Sequence, residues 1–187
     1  MLQIAPSMTT EILLVPGLWN SGPEHWQSYW ERERRDCRRV LQRDWETPVR
    51  SEWVETLEAA VASARAPVVL AAHSLACCLV AHWAGASREL SKVRGALLVA
   101  PSDVEAPSYP AGTTGFKPMP LRPLPFPSIL VLSTNDEYVT PDRARHFARA
   151  WGSRVVDVGA KGHINSASAM GMWPEGFALV EELRRER

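Results

Sequence analysis

Short runs rich in Val, Ile and Leu recur at residues 11–15, 40–41 with their flanks, 68–72, 96–100, 129–132 and 155–158. Each is bounded by polar or turn-forming residues, which predicts six strands. Between them the apolar positions fall at helical spacing over residues 24–34, 51–65, 75–86, 141–151 and 174–184, which predicts five helices. Strands and helices therefore alternate. The strand segments are nearly continuous in apolar residues, so they fit a parallel sheet buried on both faces, with helices as right-handed crossovers in a doubly wound α/β/α sandwich. Ligands in such sheets collect at the carboxyl ends of the strands, which directs attention to the polar residues just beyond each run.

One stretch breaks the alternation. Residues 101–127 hold eight of the fifteen prolines, together with Gly112 and Gly115. Proline fixes φ and removes a backbone donor, so this stretch is expected to be a long excursion from a strand's carboxyl end, not a regular helix.

Composition narrows the function classes. A chain of 187 residues, 45% apolar and 22% charged, has the size and make-up of one globular domain, with residues 1–10 read as an N-terminal extension. The 21 Lys+Arg balance 21 Asp+Glu, leaving no basic excess to hold nucleic acid or an anionic membrane. The Arg-rich run at residues 31–39 also contains Glu31, Glu33 and Asp36, the pattern of a solvated, internally paired face. Residues 66–87 lack Asp, Glu, Lys and Arg over a length that suffices for a bilayer. Pro67, His73, Ser74, His82 and Ser87 interrupt them, and they divide into a strand and an Ala-rich helix, so no membrane span is expected. Cys37, Cys77 and Cys78 are odd in number and two are adjacent, which gives no disulfide framework. The first residues lack the basic-then-apolar layout of a secretory signal, and a cytoplasmic, reducing setting is the expectation.

The chemistry starts at Ala72-His73-Ser74-Leu75-Ala76, where a strand turns into a helix through one serine. A nucleophile elbow needs small residues two before and two after its serine, because strand and helix approach closely there; the usual pattern is Gly-x-Ser-x-Gly. Both glycines are alanines here, and on this window alone Ser74 is equally readable as a helix N-cap. Asp136 follows the next-to-last strand, and His163 lies in a Gly-flanked loop after the last one. Ser74, Asp136, His163 is the chain order of an α/β-hydrolase triad. Asp103, beyond another strand, is the alternative acid. Backbone donors for an oxyanion are expected at Leu75, beside the serine, and at Leu18, in the loop after the first strand, where Gly17 lets the chain turn inward.

The windows Val15-Pro16-Gly17-Leu18-Trp19-Asn20-Ser21-Gly22-Pro23-Glu24-His25-Trp26-Gln27, His73-Ser74-Leu75, Ala100-Pro101-Ser102-Asp103, Asn135-Asp136-Glu137-Tyr138-Val139, Gly162-His163-Ile164-Asn165 and Met172-Trp173-Pro174-Glu175-Gly176 resemble the YdeN-like small serine hydrolases, the family that includes retinoblastoma-binding protein 9. The likeness runs from about Ile12 to the C-terminus. It implies a minimal α/β-hydrolase without a separate cap domain, with Ser74, Asp136 and His163 as triad and no metal or organic cofactor. Ala72 departs from the glycine that such proteins often carry before the His-Ser pair.

Rival readings are weaker. His73 with Cys77, and Cys78 with His82, have the i, i+4 spacing of paired metal ligands. No second ligand pair accompanies them, and Cys in an Ala-rich helix reads as a small hydrophobe, so no metal is expected. Pro16-Gly17-Leu18-Trp19 after the first strand is no phosphate-binding glycine loop. Trp19, His25 and Trp26 are candidates for pocket lining. The sequence thus predicts a serine hydrolase acting on small-molecule esters or amides. The alternative is a protein-interaction module on the same fold with a weak or vestigial site, told apart by the absence of turnover.

Overall fold

The computed structural model describes residues 10–185; apart from Thr10, the N-terminal extension read at residues 1–10 lies outside them. In chain order the elements are β1 (Glu11–Val15), α1 (Trp26–Glu33), β2 (Cys37–Arg39), α2 (Arg50–Ala62), β3 (Val68–His73), α3 (Leu75–Ala84), β4 (Val93–Val99), β5 (Ser128–Leu132), α4 (Pro141–Trp151), β6 (Arg154–Asp157) and α5 (Pro174–Arg185). The strands form one all-parallel sheet in the order β2-β1-β3-β4-β5-β6. This is the minimal α/β-hydrolase architecture, with no separate cap among the described residues.

The chain leaves β1 in one direction to reach β2, then crosses back to β3 and continues the other way. Right-handed crossovers therefore place α1 on one face of the sheet and α2, α3 and α4 on the other. Strand periodicity sorts the core in the same way. Ile12, Leu14, Val69, Ala71, Leu97 and Val99 pack with Trp26 and Trp30 of α1 and with Val180 and Leu183 of α5. Leu13, Val15, Val68, Leu70, Ala96 and Leu98 pack with Trp53, Leu57, α3, Phe147 and Trp151. All six residues of β3 are buried, and α3 is buried over nearly its whole length, which accounts for the uncharged stretch at residues 66–87. No helix among the described residues is long and apolar enough to cross a membrane.

Two strands depart from expectation. β2 lies at Cys37–Arg39, not at residues 40–41: Val40 is buried just past the ladder, donating its N–H to Leu14 at 2.8 Å, while Leu41 is 71% exposed. As an edge strand, β2 carries arginines where an interior strand carries apolar residues. β6, at the other edge, is largely exposed, including Val155, and is not buried on both faces as the apolar run suggested. Its charges are paired, Arg154 with Glu182 of α5 and Asp157 with Arg145 of α4.

The proline-rich excursion between β4 and β5 is a packed strap. Val104, Phe116, Met119 and Phe126 are buried in it. Thr114 exchanges hydrogen bonds with the Pro48 and Arg50 backbone, and His82, Trp151 and Cys78 reach its carbonyls at Phe116 and Pro120. Only its first part, through Ser102, Tyr109 and Pro110, faces the pocket described next.

Candidate active site

β3 ends at the centre of the sheet, and Ser74 turns the chain into α3 with φ 60° and ψ −124°. A non-glycine residue in this region stores on the order of 1–3 kcal/mol of strain, so its surroundings must hold it. They do so by packing and backbone bonds. Ser74 N–H donates to Val99 O at 3.0 Å, and Ala72 and Ala76 are fully buried on either side. Ala72 stays in regular register against Leu98 and is not in the left-handed region, so the turn does not need glycine there. It does need Gly17: a Cβ at that position would lie 2.8 Å from both His73 O and Ser74 Cβ and 3.1 Å from Leu75 N. Gly17 thus brings the loop after β1 against the start of α3. The N–H groups of Leu18 and Leu75 donate to no group among the described residues.

His163 meets Ser74 from the loop after β6. His163 Nε2 lies 2.8 Å from Ser74 Oγ, and Nδ1 lies 2.9 Å from both Asp136 oxygens. The Asp136 side chain is wholly buried and also accepts the Tyr138 N–H at 2.9 Å. The His163 loop hangs on remote donors and acceptors. Trp26 Nε1–H donates to Ile164 O at 3.0 Å, and His73 Nε2–H to His163 O at 2.8 Å. Gly162 N–H donates to Asn135 Oδ1 at 2.7 Å, and Lys161 N–H to Ser133 Oγ at 2.9 Å.

The serine hydrolase family model matches residues 12–182. The chain belongs to this family. This serine hydrolase resembles in structure a candidate YdeN-like hydrolase of Pectobacterium atrosepticum, at 32% identity and a TM-score of 0.81, over 94% of this chain and 90% of that one. It also resembles the ydeN gene product of B. subtilis, at 15% identity and a TM-score of 0.72, over 94% and 98% of the two chains. The esterase domain of a Rhodothermus marinus protein shares the fold at 15% identity and a TM-score of 0.69, covering 96% of this chain and 90% of that one. No curated protein matches the sequence. The small YdeN-like membership expected from the motifs is therefore shown.

Asp103, the alternative acid, does not contact His163. Its carboxylate accepts from Arg143 Nε at 2.8 Å and Nη2 at 3.0 Å, and Arg143 also pairs with Glu105. Trp26 is another correction: it is fully buried beneath the site and does not line the pocket over Ser74, its indole N–H donating to Ile164 O. Trp19 and His25 do line the pocket, Trp19 as a rim residue 57% exposed.

The pocket of the serine hydrolase is about 310 Å³ and opens directly over Ser74. Leu18, Trp19 and Asn20 form one wall, Tyr109 and Pro110 of the strap another, and Tyr138, Asn165, Ser166 and Ala167 the rest. No Lys, Arg, Asp or Glu lines it. Two of the histidines that line it, His25 and His73, are held neutral. His25 is pushed down to about 3 by burial, then by the charges of Arg39 and His163, and burial drives His73 well below the ordinary range. The phenol of Tyr109 is pushed up, again by burial, and its hydroxyl has no partner among the described residues.

Sequence reasoning missed Ser102, Tyr109, Tyr138 and Arg39. Arg39, at the end of β2, has a nearly buried side chain that donates to Asn20 Oδ1, Ser21 O and Ser28 Oγ while pairing with Glu31. It ties down the loop that carries Leu18. The available signal was positional: Arg39 and Ser102 each lie at or just beyond the carboxyl end of a strand. Among the described residues no cluster of His, Cys, Asp or Glu is placed to hold a metal; burial pushes the Cys77 and Cys78 thiols well up, and both point to backbone carbonyls.

Proposed function

We propose that this serine hydrolase cleaves small, uncharged esters or amides through an acyl-enzyme on Ser74. The observation that carries the reading is the continuous hydrogen-bonded chain from Ser74 Oγ through His163 to the buried Asp136 carboxylate. A serine hydroxyl is a poor nucleophile until a base takes its proton as it attacks. His163 Nε2 receives that proton, the Ser74 Oγ–carbon bond forms, and the carbonyl pair moves onto oxygen. Asp136 holds Nδ1–H, fixes the tautomer and stabilises the imidazolium. The free N–H groups of Leu18 and Leu75, next to Gly17, suit the role of oxyanion donors. His163 then returns the proton to the leaving group, and a water repeats the sequence to release the acid.

The uncharged lining supports neutral substrates, because a charged group entering it loses hydration without meeting an opposite charge. The backbone strain at Ser74 favours turnover over a vestigial role in a binding module, since a merely structural serine gains nothing from it. Labelling with a fluorophosphonate probe, followed by intact mass, tests the reading. One adduct on the native chain and none on Ser74→Ala is expected. An unlabelled, folded native protein overturns it.

A further inference from the structure

Ser74 has a second polar neighbour that the steps above leave without a task. Ser102 Oγ lies 2.7 Å from Ser74 Oγ, and Ser102 is 1% exposed. The direction of this bond follows from counting protons. Asp136 accepts the Nδ1–H of His163, so Nε2 of the neutral ring accepts from Ser74. A hydroxyl has one proton, and that of Ser74 is committed to His163. Ser102 must therefore donate to Ser74, and its side chain makes no other hydrogen bond among the described residues.

The placement is built. Ser102 follows β4 through Ala100, at φ 48°, and Pro101. On one side of it Ala100 N–H donates to Val131 O at 2.9 Å, and on the other Asp103 N–H donates to Tyr138 O at 2.9 Å. The two-point pair between Asp103 and Arg143 clamps the same turn to α4. Asp103 thus contributes to the site as the anchor of the Ser102 turn.

We propose that Ser102 is a further catalytic residue, whose hydroxyl donates to Ser74 Oγ and stabilises that oxygen while its proton is on His163. The proposal rests on the roles given above to Ser74 and His163. During acylation the Ser74 proton passes to His163 Nε2, and the oxygen then faces two donors, the imidazolium N–H and the Ser102 O–H. Ser102 keeps its own proton throughout. As the Oγ–carbon bond forms, the oxygen's electron density moves into that bond and the Ser102 contact weakens. In deacylation the bond breaks with its pair returning to Oγ, His163 reprotonates that oxygen, and the Ser102 donor meets it again. Charge builds on Ser74 Oγ between loss of its proton and completion of the Oγ–carbon bond, and a donor to a charged oxygen is stronger than one between neutral groups, so the contact is strongest at that stage of the attack.

Ser102→Ala tests this with three readings: the rate of fluorophosphonate labelling at Ser74, the melting temperature, and the ¹⁵N resonance of His163 Nε2. The expected result is labelling slowed roughly 10- to 100-fold, melting within a few degrees of native, and a displaced Nε2 resonance, because Ser74 becomes a weaker donor to it. Labelling within twofold of native overturns the proposal. So does slower labelling with an unmoved resonance, since Ser102 then acts only through packing. If the native protein itself is not labelled, the assignment of Ser74 as nucleophile falls; the Nε2 resonance then separately decides whether the Ser102 donor acts on the Ser74–His163 bond.

Discussion

The Ser74 turn and the His163 loop meet at the 2.8 Å hydrogen bond between Ser74 Oγ and His163 Nε2, yet opposite means hold them. The turn is fixed by volume: alanines on both sides, Gly17 in contact above it, and a fully buried strand and helix behind it. The loop is fixed by hooks, with Trp26, His73, Asn135 and Ser133 each bonding a different backbone group. Packing resists a strained dihedral well because interiors are close to incompressible. It does little for a loop with few apolar side chains, whose backbone groups need specific partners. The turn should therefore fail when atoms are added, and the loop when its partners change charge.

Gly17→Ala should have the largest effect. Its Cβ meets backbone and Ser74 Cβ at 2.8 Å, so the turn or the Leu18 loop must move, and loss of one oxyanion donor costs about 10²–10³ in kcat. Turnover of a neutral ester is the measurement; activity within threefold of native would show that the contact is dispensable.

Acid should strike the loop. His25 is neutral in the fold down to about 3, against 6.5 for an ordinary histidine, and His73 is shifted the same way. As pH falls below 6.5 the unfolded chain takes up protons that the folded chain refuses, so stability drops towards pH 3 and is recovered as pH rises. For His25 the loss is about 1.4 kcal/mol per pH unit well inside that window, or about 2 kcal/mol between pH 7 and 5, and His73 adds to it in the same direction. Urea midpoints at those two values check it; equal midpoints would mean that the unfolded chain gains no protons over the folded one.

Ala72→Gly, which restores the usual elbow residue, should do least. Ala72 sits in regular strand conformation, so glycine should leave labelling of Ser74 within twofold and cost about 0.5–1 kcal/mol through backbone entropy. Faster labelling would show that the alanine constrains the turn after all.

Legibility in the sequence followed the same division. Helix α4 was readable to the residue, from Pro141 to Trp151, because Thr140 caps it, Pro141 opens it and Gly152 closes it in the left-handed region. β3, Ser74 and α3 were readable because their chemistry is local. The expected β2 is displaced because an edge strand has no need of an apolar run, and β4 begins three residues before the expected Ala96, at Val93, because the exposed Arg94 and the buried Gly95, which has no side chain, interrupt the apolar pattern. The sequence offers Trp26 as a pocket residue because spacing separates a buried face from an exposed one but does not reveal where an indole N–H is spent. Ser102 and Arg39 act on residues 28 and 19 positions away, and no local pattern encodes such partners.

The charged edge at β6 has a consequence for how copies of the chain behave together. A parallel sheet leaves unpaired backbone donors and acceptors along each outer strand, a template onto which another strand can zip. At β6 the ion pairs Arg154–Glu182 and Arg145–Asp157 stand beside that template. Lateral growth of the sheet there would strip water from four charges, so the pairs that contribute little to folding in water act as a guard against aggregation.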